Sequence, residues 1–404
     1  MKASESSERY VGKVRECCNY AVRSAKSFAD SEVNASRQAG GEGEESLRAS
    51  LQDDLTKFAD EVDETPFLLK PGSSNAAAKW TAIFMLIAAV FGILAVLIPA
   101  AGTVLADIGL ICSVLTLLCF FGLLGGTAKS RKSADVLARR RPKGKTEHRI
   151  ILQANLDAPF ARRFSAGAVS AFRALTILGI VLYLAFDVLA SLNASGTLCM
   201  PAWFAYIAYP LVVFILFPFL QSRAVLTDQS WPGVSDNLSG CYTASGAMRY
   251  LSVEKLRLEN TEVDVLLTSG KSSHMEGAKQ FLRTYSDALK ETDTAIICLD
   301  SLFSVDSLNT LARGRQLNRA IAAAAENADV MLTDHAPKYH VSEAETFRKG
   351  GVPTILLSSL TDGKPDFYRG PDDSTEHLDV RAVEAAMKLA LELAYLKDDP
   401  ESKF

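Results

Sequence analysis

The chain has 404 residues, room for two or three domains, and its net charge of −4 gives no overall basic balance that would suit a nucleic-acid partner. Charged residues make up 22% of it, yet its mean hydropathy is positive at +0.11. Apolar and charged residues are therefore segregated into blocks, which excludes an ordinary soluble chain and is how membrane spans beside a soluble domain read.

From the amino terminus, the polar opening "MKASESSERYVGK" is not a signal peptide, so the first apolar span is expected to act as the insertion signal. Two polar helices follow, at Glu8 to Phe28 and Glu44 to Val62, with the Gly-rich "ADSEVNASRQAGGEGE" as the loop between them and "DETPFLLKP" as a short extended piece. Four apolar stretches come next: Lys79 to Ala100, Thr103 to Leu124, Ala168 to Leu192 and Ala202 to Gln221. Each is about 20 residues, the length that crosses ~30 Å of hydrocarbon at 1.5 Å per residue. Asp107 and Asp187 lie near span ends and are expected to reach headgroup water, and Pro210 and Pro218 are expected to kink the fourth span.

Residues 127–167 hold eleven Lys and Arg against three acids, whereas the loop inside each apolar hairpin holds none. The positive-inside bias therefore puts this segment, and with it both termini, on the cytoplasmic side of the plasma membrane. Beside a span, "KSRK" and "RRRPKGK" read as a membrane-surface patch, not a nucleic-acid site. The seven cysteines form no CxxC pair and their number is odd, which suits a reducing compartment.

"HRIILQANLD" has the length and apolarity of a buried strand. Beyond residue 223 the pattern alternates: helix "SGCYTASGAMRYL", strand "EVDVLLTS", helix "MEGAKQFLRTYSDAL", strand "TAIICLD", helix "RQLNRAIAAAAENA", strand "VPTILLSS", and the closing helix "VRAVEAAMKLALELAYL". The fold expected is α/β, a mixed, mostly parallel sheet sandwiched by helices, with four inserted transmembrane helices. The domains expected are 1–78 (amino-terminal helices), 79–125 (first transmembrane hairpin), 126–167 (basic segment with a core strand), 168–222 (second hairpin) and 223–404 (main α/β part).

Taken alone, "DNLSG" is a turn or helix cap. In company it says more. "ILQANLDAP", "PGVSDNLSG", "VDVLLTSGKSSHMEGAKQF", "TAIICLDSL", "TDHAPKYHVSEAETFRKGGVPTILLSS" and "DFYRGPDDSTEHLD" occur in an order that resembles the di-zinc aminopeptidase-like family, peptidase family M28 of clan MH. The resemblance covers nearly all soluble residues and implies a zinc-aminopeptidase-like fold. It implies two zinc ions bridged by the Asp of the DNxSG turn, activating a water against a peptide carbonyl.

Carried over position by position, the resemblance places the bridging carboxylate at Asp236, keeps the Asp of the family's HxD as Asp157, and keeps the next strand-end ligand as Asp300. The remaining positions depart from it. Asn155 stands where a ligand His is implied, Lys271 where the catalytic base is, Ser272 where a ligand Glu is, and Arg369 where the late His is. Asp334 and His335 match the pair beside the family's substrate pocket. His274 and His377 are offset from ligand positions and read as exposed loop histidines, and no GxSxG elbow accompanies the serine pairs.

Losing two dications would leave buried carboxylates uncompensated, each at a cost of several kcal/mol. Lys271 and Arg369 are therefore expected either to replace the metals electrostatically, with Arg369 forked onto Asp236, or to point to solvent at an abandoned site. The resulting expectation is a membrane-anchored pseudoenzyme with no catalytic residue and no cofactor, binding a peptide or protein partner in the old cleft. The alternative is an active zinc metallo-aminopeptidase, a hydrolase with an altered metal set and two zinc ions. A purely membrane function, with the soluble part as a cap, is disfavoured by the lack of ionisable residues at the span centres.

Overall fold

Strands rich in Val, Ile and Leu converge on a seven-stranded sheet. The structure is a computed structural model that describes residues 13–31, 36–123, 127–333, 342–361, 369–401 and 404. The chain divides into two compact units, one made of residues 1–69, 131–160 and 228–404, the other of 70–130 and 161–227.

In the first unit the sheet consists of β1 (Glu61–Leu69), β2 (Arg131–Arg140), β3 (His148–Asn155), β6 (Thr261–Thr268), β7 (Asp293–Leu299), β8 (Leu308–Ala312) and β9 (Thr354–Ser359). The spatial order is β1-β2-β6-β3-β7-β9-β8; a separate two-stranded sheet pairs β4 (Phe160–Arg162) with β5 (Val225–Ser230). The centre, β6-β3-β7-β9, is parallel, and both edges are antiparallel. Leu152 faces Val265 on one side and Ile297 on the other, so the register aligns three strand ends.

Because side chains alternate along a strand, β3 feeds two cores. Ile150, Leu152 and Ala154 face the core built by helices α1 (Lys13–Ala29), α2 (Glu42–Phe58), α8 (Ser239–Val253), α11 (Arg315–Ala328) and α13 (Val380–Asp398). Ile151 faces the second core, with Phe281 of α9 (Glu276–Thr284) and Phe347 of α12 (Ala344–Lys349). Burying each such side chain stabilises the fold by roughly 1.5–3 kcal/mol.

Three expectations shift. The second polar helix ends at Phe58, since Glu61 and Val62 already pair in β1 with Arg139 and Ala138. The basic segment holds an extra strand, β2, whose arginines are tied into the fold: Arg139 to Asp63, Arg140 to the carbonyls of Phe58, Leu251 and Leu256. The expected helix over 275–289 breaks at Tyr285, leaving α10 (Ser286–Glu291) as a separate turn.

In the second unit three helices are long and apolar enough to cross a membrane: α3 (Ser73–Leu97), α4 (Gly102–Phe120) and α5 (Ala166–Ala194). The fourth apolar stretch is not a single helix. It alternates 3₁₀ segments, Ala202–Ile207 and Val212–Ile215, with two short α segments, α6 (Ala208–Leu211) and α7 (Leu216–Gln221). Pro210 and Pro218 sit in those α segments, where each removes a backbone donor.

Asp107 is exposed and accepts a hydrogen bond from Ser191. Asp187, however, does not reach water. It is fully buried, held by Ser113 and packed against Gly92 and Gly109, because α5 runs on to Ala194 and carries this residue inside the bundle.

Candidate active site

The aligned carboxyl ends of β3, β6 and β7 hold the candidate site, as expected of a parallel sheet, where ligands bind beyond those ends. Asn155 closes β3, Asp157 lies two residues on, Lys271 and Ser272 follow β6, and Asp300 follows β7 directly. Asp236 arrives from the segment before α8.

That segment is fixed from several directions. Gly233 takes a left-handed conformation with φ 61°, and the Asp236–Asn237 peptide is cis. Arg37, wholly buried, donates to the carbonyls of Pro232 at 2.9 Å and Gly233 at 2.7 Å. Asp373 accepts from the Ser235 amide at 2.7 Å and the Asp236 amide at 3.1 Å. Asn237 donates to Leu299 O at 2.7 Å and to Asn155 Oδ1 at 3.1 Å, locking the turn to β7 and β3. The glycine of "DNLSG" is a packing requirement: a Cβ on Gly240 would stand 2.3 Å from Leu299 O.

Lys271 sits at the centre. Its Nζ lies 2.6 Å from Asp236 Oδ1 and 2.7 and 2.9 Å from the two oxygens of Asp300. The three contacts use the three donors of an ammonium. All three side chains are at most 4% exposed. Burial alone would push the lysine pKa down, but the charges and hydrogen bonds of Asp236 and Asp300 outweigh it and hold the ammonium well above its ordinary range.

Asp157 does not face the cation. It accepts from the backbone amides of Lys271 at 2.9 Å and Ser272 at 2.8 Å, and from the Ser272 hydroxyl. It thus fixes the loop that delivers Lys271, although burial still raises its pKa above the usual carboxylate range.

The positions brought together are therefore Asn155, Asp157, Asp236, Lys271, Ser272 and Asp300. Arg369 has a left-handed backbone, φ 53°, and it is Lys271 that pairs with Asp236, through Oδ1 alone. A lysine on the loop after β6 reaches both carboxylates at once, through both oxygens of Asp300 and Oδ1 of Asp236, while the buried Asp236 Oδ2 keeps no hydrogen-bond partner among the described residues. His274 and His377 are exposed. Asp334 and His335 lie outside the described residues.

The donor set does not fit a pair of zinc ions. Zinc needs about four N, S or O ligands. Here the Asp236 and Asp300 carboxylates already hold a cation, the Asn155 amide is engaged by Asp157 O and Asn237, and the Ser272 hydroxyl by Asp157. Among the described residues no three His, Cys, Asp or Glu side chains converge to hold a metal ion.

Several buried polar groups were not singled out from sequence. Glu343 accepts from Gln153 Nε2 and Thr268 Oγ1, both at 2.6 Å, and burial pushes its carboxyl up to about 8. Glu44 accepts from Ser133, from Ser269 at 2.7 Å and from the Gly40 amide at 2.7 Å, and burial pushes it up to about 7. Asp135 accepts from the Ser269 amide and is held well above the carboxylate range by burial. Asp373 alone left a trace, as the final acid of "RGPDD". Glu44 sits in a polar helix and Glu343 in a polar loop string, where nothing separates them from surface acids.

A sheet with a parallel centre, helices on both faces, and carboxylates from a DN-x-SG turn and the strand ends define a zinc-aminopeptidase-like fold. The sequence model of peptidase family M28 matches residues 221–394 of the chain. The aminopeptidase from Aneurinibacillus sp. strain AM-1 matches with a TM-score of 0.56 at 12% identity, over 96% of this chain and 95% of its own. A zinc aminopeptidase from Bacillus subtilis matches at 0.54 and 11%, over 94% of each chain. A glutaminyl cyclase from Bacteroides thetaiotaomicron matches at 0.54 and 12%, over 94% of this chain and 97% of its own. No curated protein gave a sequence match.

Proposed function

We propose that this chain is a membrane-anchored pseudoenzyme of family M28, in which an ammonium group takes the place of the family's metals and the cleft binds a peptide or protein partner without hydrolysing it. The observation that carries this reading is the Lys271 ammonium, 2.6 Å from Asp236 and 2.7 Å from Asp300. A metal entering there would have to expel a buried, doubly paired cation. The same residue stands at the base position, and an ammonium held far above its ordinary pKa has no lone pair with which to accept a proton from water. Asp236 and Asp300, both occupied by the lysine, do not substitute for it.

The bilayer is the second partner in this reading. Three helices of spanning length support a multi-pass protein. Taken as collinear, the alternating 3₁₀ and α segments of residues 202–221 would cover roughly 35 Å, enough for a fourth crossing. The excess of Lys and Arg in residues 127–167 favours both termini on the cytoplasmic side of the plasma membrane, since the bias acts on the chain as it inserts, before Arg139 and Arg140 find their partners. Cys199 is the one exposed cysteine. It should react with a membrane-impermeant maleimide on intact cells, and labelling only after lysis would reverse this topology.

The chemistry is tested by metal analysis of the purified full chain together with assays of release of an amino-terminal residue and of cyclisation of an amino-terminal glutamine. The expected result is no stoichiometric zinc and no chelator-sensitive turnover. About two zinc equivalents with chelator-sensitive release would establish the alternative, an active zinc metallo-aminopeptidase.

A further inference from the structure

At the amino ends of β7 and β9, the opposite ends of these strands from Lys271, lies a cavity of about 590 Å³. Five cationic side chains line it, Arg313, Arg315, Arg319, Arg348 and Lys397, against one acidic side chain, Asp293. The available acids do not balance them. Asp293 is taken by Lys397 at 2.6 Å, with His148 at 3.2 Å on the same oxygen. Glu345 is shared between Arg348 and Arg313. Arg315 and Arg319 are exposed and make no ion pair among the described residues, and the Arg348 Nε is buried without a hydrogen-bond partner.

Like charges gathered this closely repel unless an anion joins them. Burial, and after it the Arg313 charge, pushes the Arg348 guanidinium below its ordinary value. Guanidinium forks match phosphate oxygens in geometry as well as charge. The first turn of α11 opens on the same cavity after Gly314, with no side-chain cap on its amides. Leu317, Val352, Pro353 and Phe404 give the wall an apolar part, beside the polar Gln316 and Thr354. The volume falls in the range of small-molecule sites, roughly 300–1,000 Å³, larger than a bare phosphate requires.

We infer that this cavity is a binding site for a phosphomonoester with an apolar body, its phosphate held by Arg313, Arg315, Arg319 and Arg348. The inference is independent of the reading of the Lys271 cleft. The phosphate could come from a soluble ester or a lipid headgroup, and the test separates the two.

Phenyl phosphate is titrated calorimetrically into the full chain, held in nanodiscs of phosphatidylcholine alone or with added phosphatidic acid. Saturable binding is expected in one form or the other: direct heat in phosphatidylcholine discs for a soluble ester, or capture of phosphatidic acid that phenyl phosphate displaces for a headgroup. In Arg315→Glu/Arg319→Glu, whose exposed positions leave folding intact, affinity should fall at least about ten-fold with an unchanged unfolding midpoint. Absence of saturable binding in both discs, or equal affinity in the double variant, overturns the inference.

Discussion

Two regions of the same sheet keep buried carboxylates in opposite ways. Beyond β6 and β7, Asp236 and Asp300 are answered by a full positive charge on Lys271. Around Gln153, Glu343 is answered only by an amide and a hydroxyl, and its pKa rises to about 8. Glu44, beside Ser133, also meets the Arg48 guanidinium at 3.4 Å, yet burial still raises it to about 7. The first arrangement holds a charge in the interior; the second holds a proton there. A buried carboxylate pair keeps its charge when one side chain supplies a shared cation. An isolated buried carboxyl instead gives up its own charge.

The largest break in this comparison is Lys271→Met. It leaves Asp236 and Asp300 buried without their cation, and removing one partner of a buried pair costs about 3–5 kcal/mol. Denaturant unfolding of the full chain near neutral pH, followed by Trp231 fluorescence in a background lacking Trp80 and Trp203, should show that loss in the unit that carries the sheet. A cost under about 1 kcal/mol would mean that water or another cation already shares the site.

A smaller effect, of opposite pH character, is expected from Glu343→Gln. The folded carboxyl titrates at about 8 against an ordinary 4.5, so between these pH values the folded state binds more protons than the unfolded one. Stability therefore falls as pH rises through that window. Lys271 adds nothing there, because a raised ammonium loses its contribution as pH climbs from its ordinary value of 10.5 toward its raised one, above this window. The amide variant keeps an acceptor for Gln153 and Thr268, so its stability profile should be flatter and, at the alkaline end, higher by about 2 kcal/mol. Parallel profiles for the two proteins would show that Glu343 is already ionised.

Much of this arrangement was legible in the sequence, for reasons that differ by residue. The central strands were, because a run such as "IIL" in β3 is buried on both faces. The helix over Arg315–Ala328 was, because its apolar positions recur at helical spacing. β2 was not: its outward arginines make "RKSADVLARR" read as a charged surface, and only pairing with β1 and β6 buries its middle. At the site, Asp236, Asp300 and the misplaced Lys271 could be read from motif order. Which cation would reach Asp236 could not, since that depends on the Asp157 contacts that aim the Lys271 loop. Glu44 and Glu343 were invisible because no local pattern tells a buried acid from an exposed one.

The finest probe of the comparison is Ser133→Ala. The serine hydroxyl donates to Glu44 Oε1, while Ser269 and the Gly40 amide serve Oε2. All three contacts favour the ionised form, and burial together with the Asp157 charge opposes it. Deleting one donor should cost about 1 kcal/mol and move the Glu44 titration upward from about 7. The wild-type protein loses stability as pH rises through that value, because the folded carboxyl must surrender a proton that the unfolded one has already lost. In the variant the proton is held longer, so the fall, which starts near the ordinary carboxyl value of 4.5 in both proteins, should continue to a higher pH. Carboxyl-selective isotope-edited infrared spectra across the titration, compared for Ser133→Ala and wild type, would read the shift directly, and a downward movement would show that the hydroxyl accepts a proton from Glu44 instead of donating one to it.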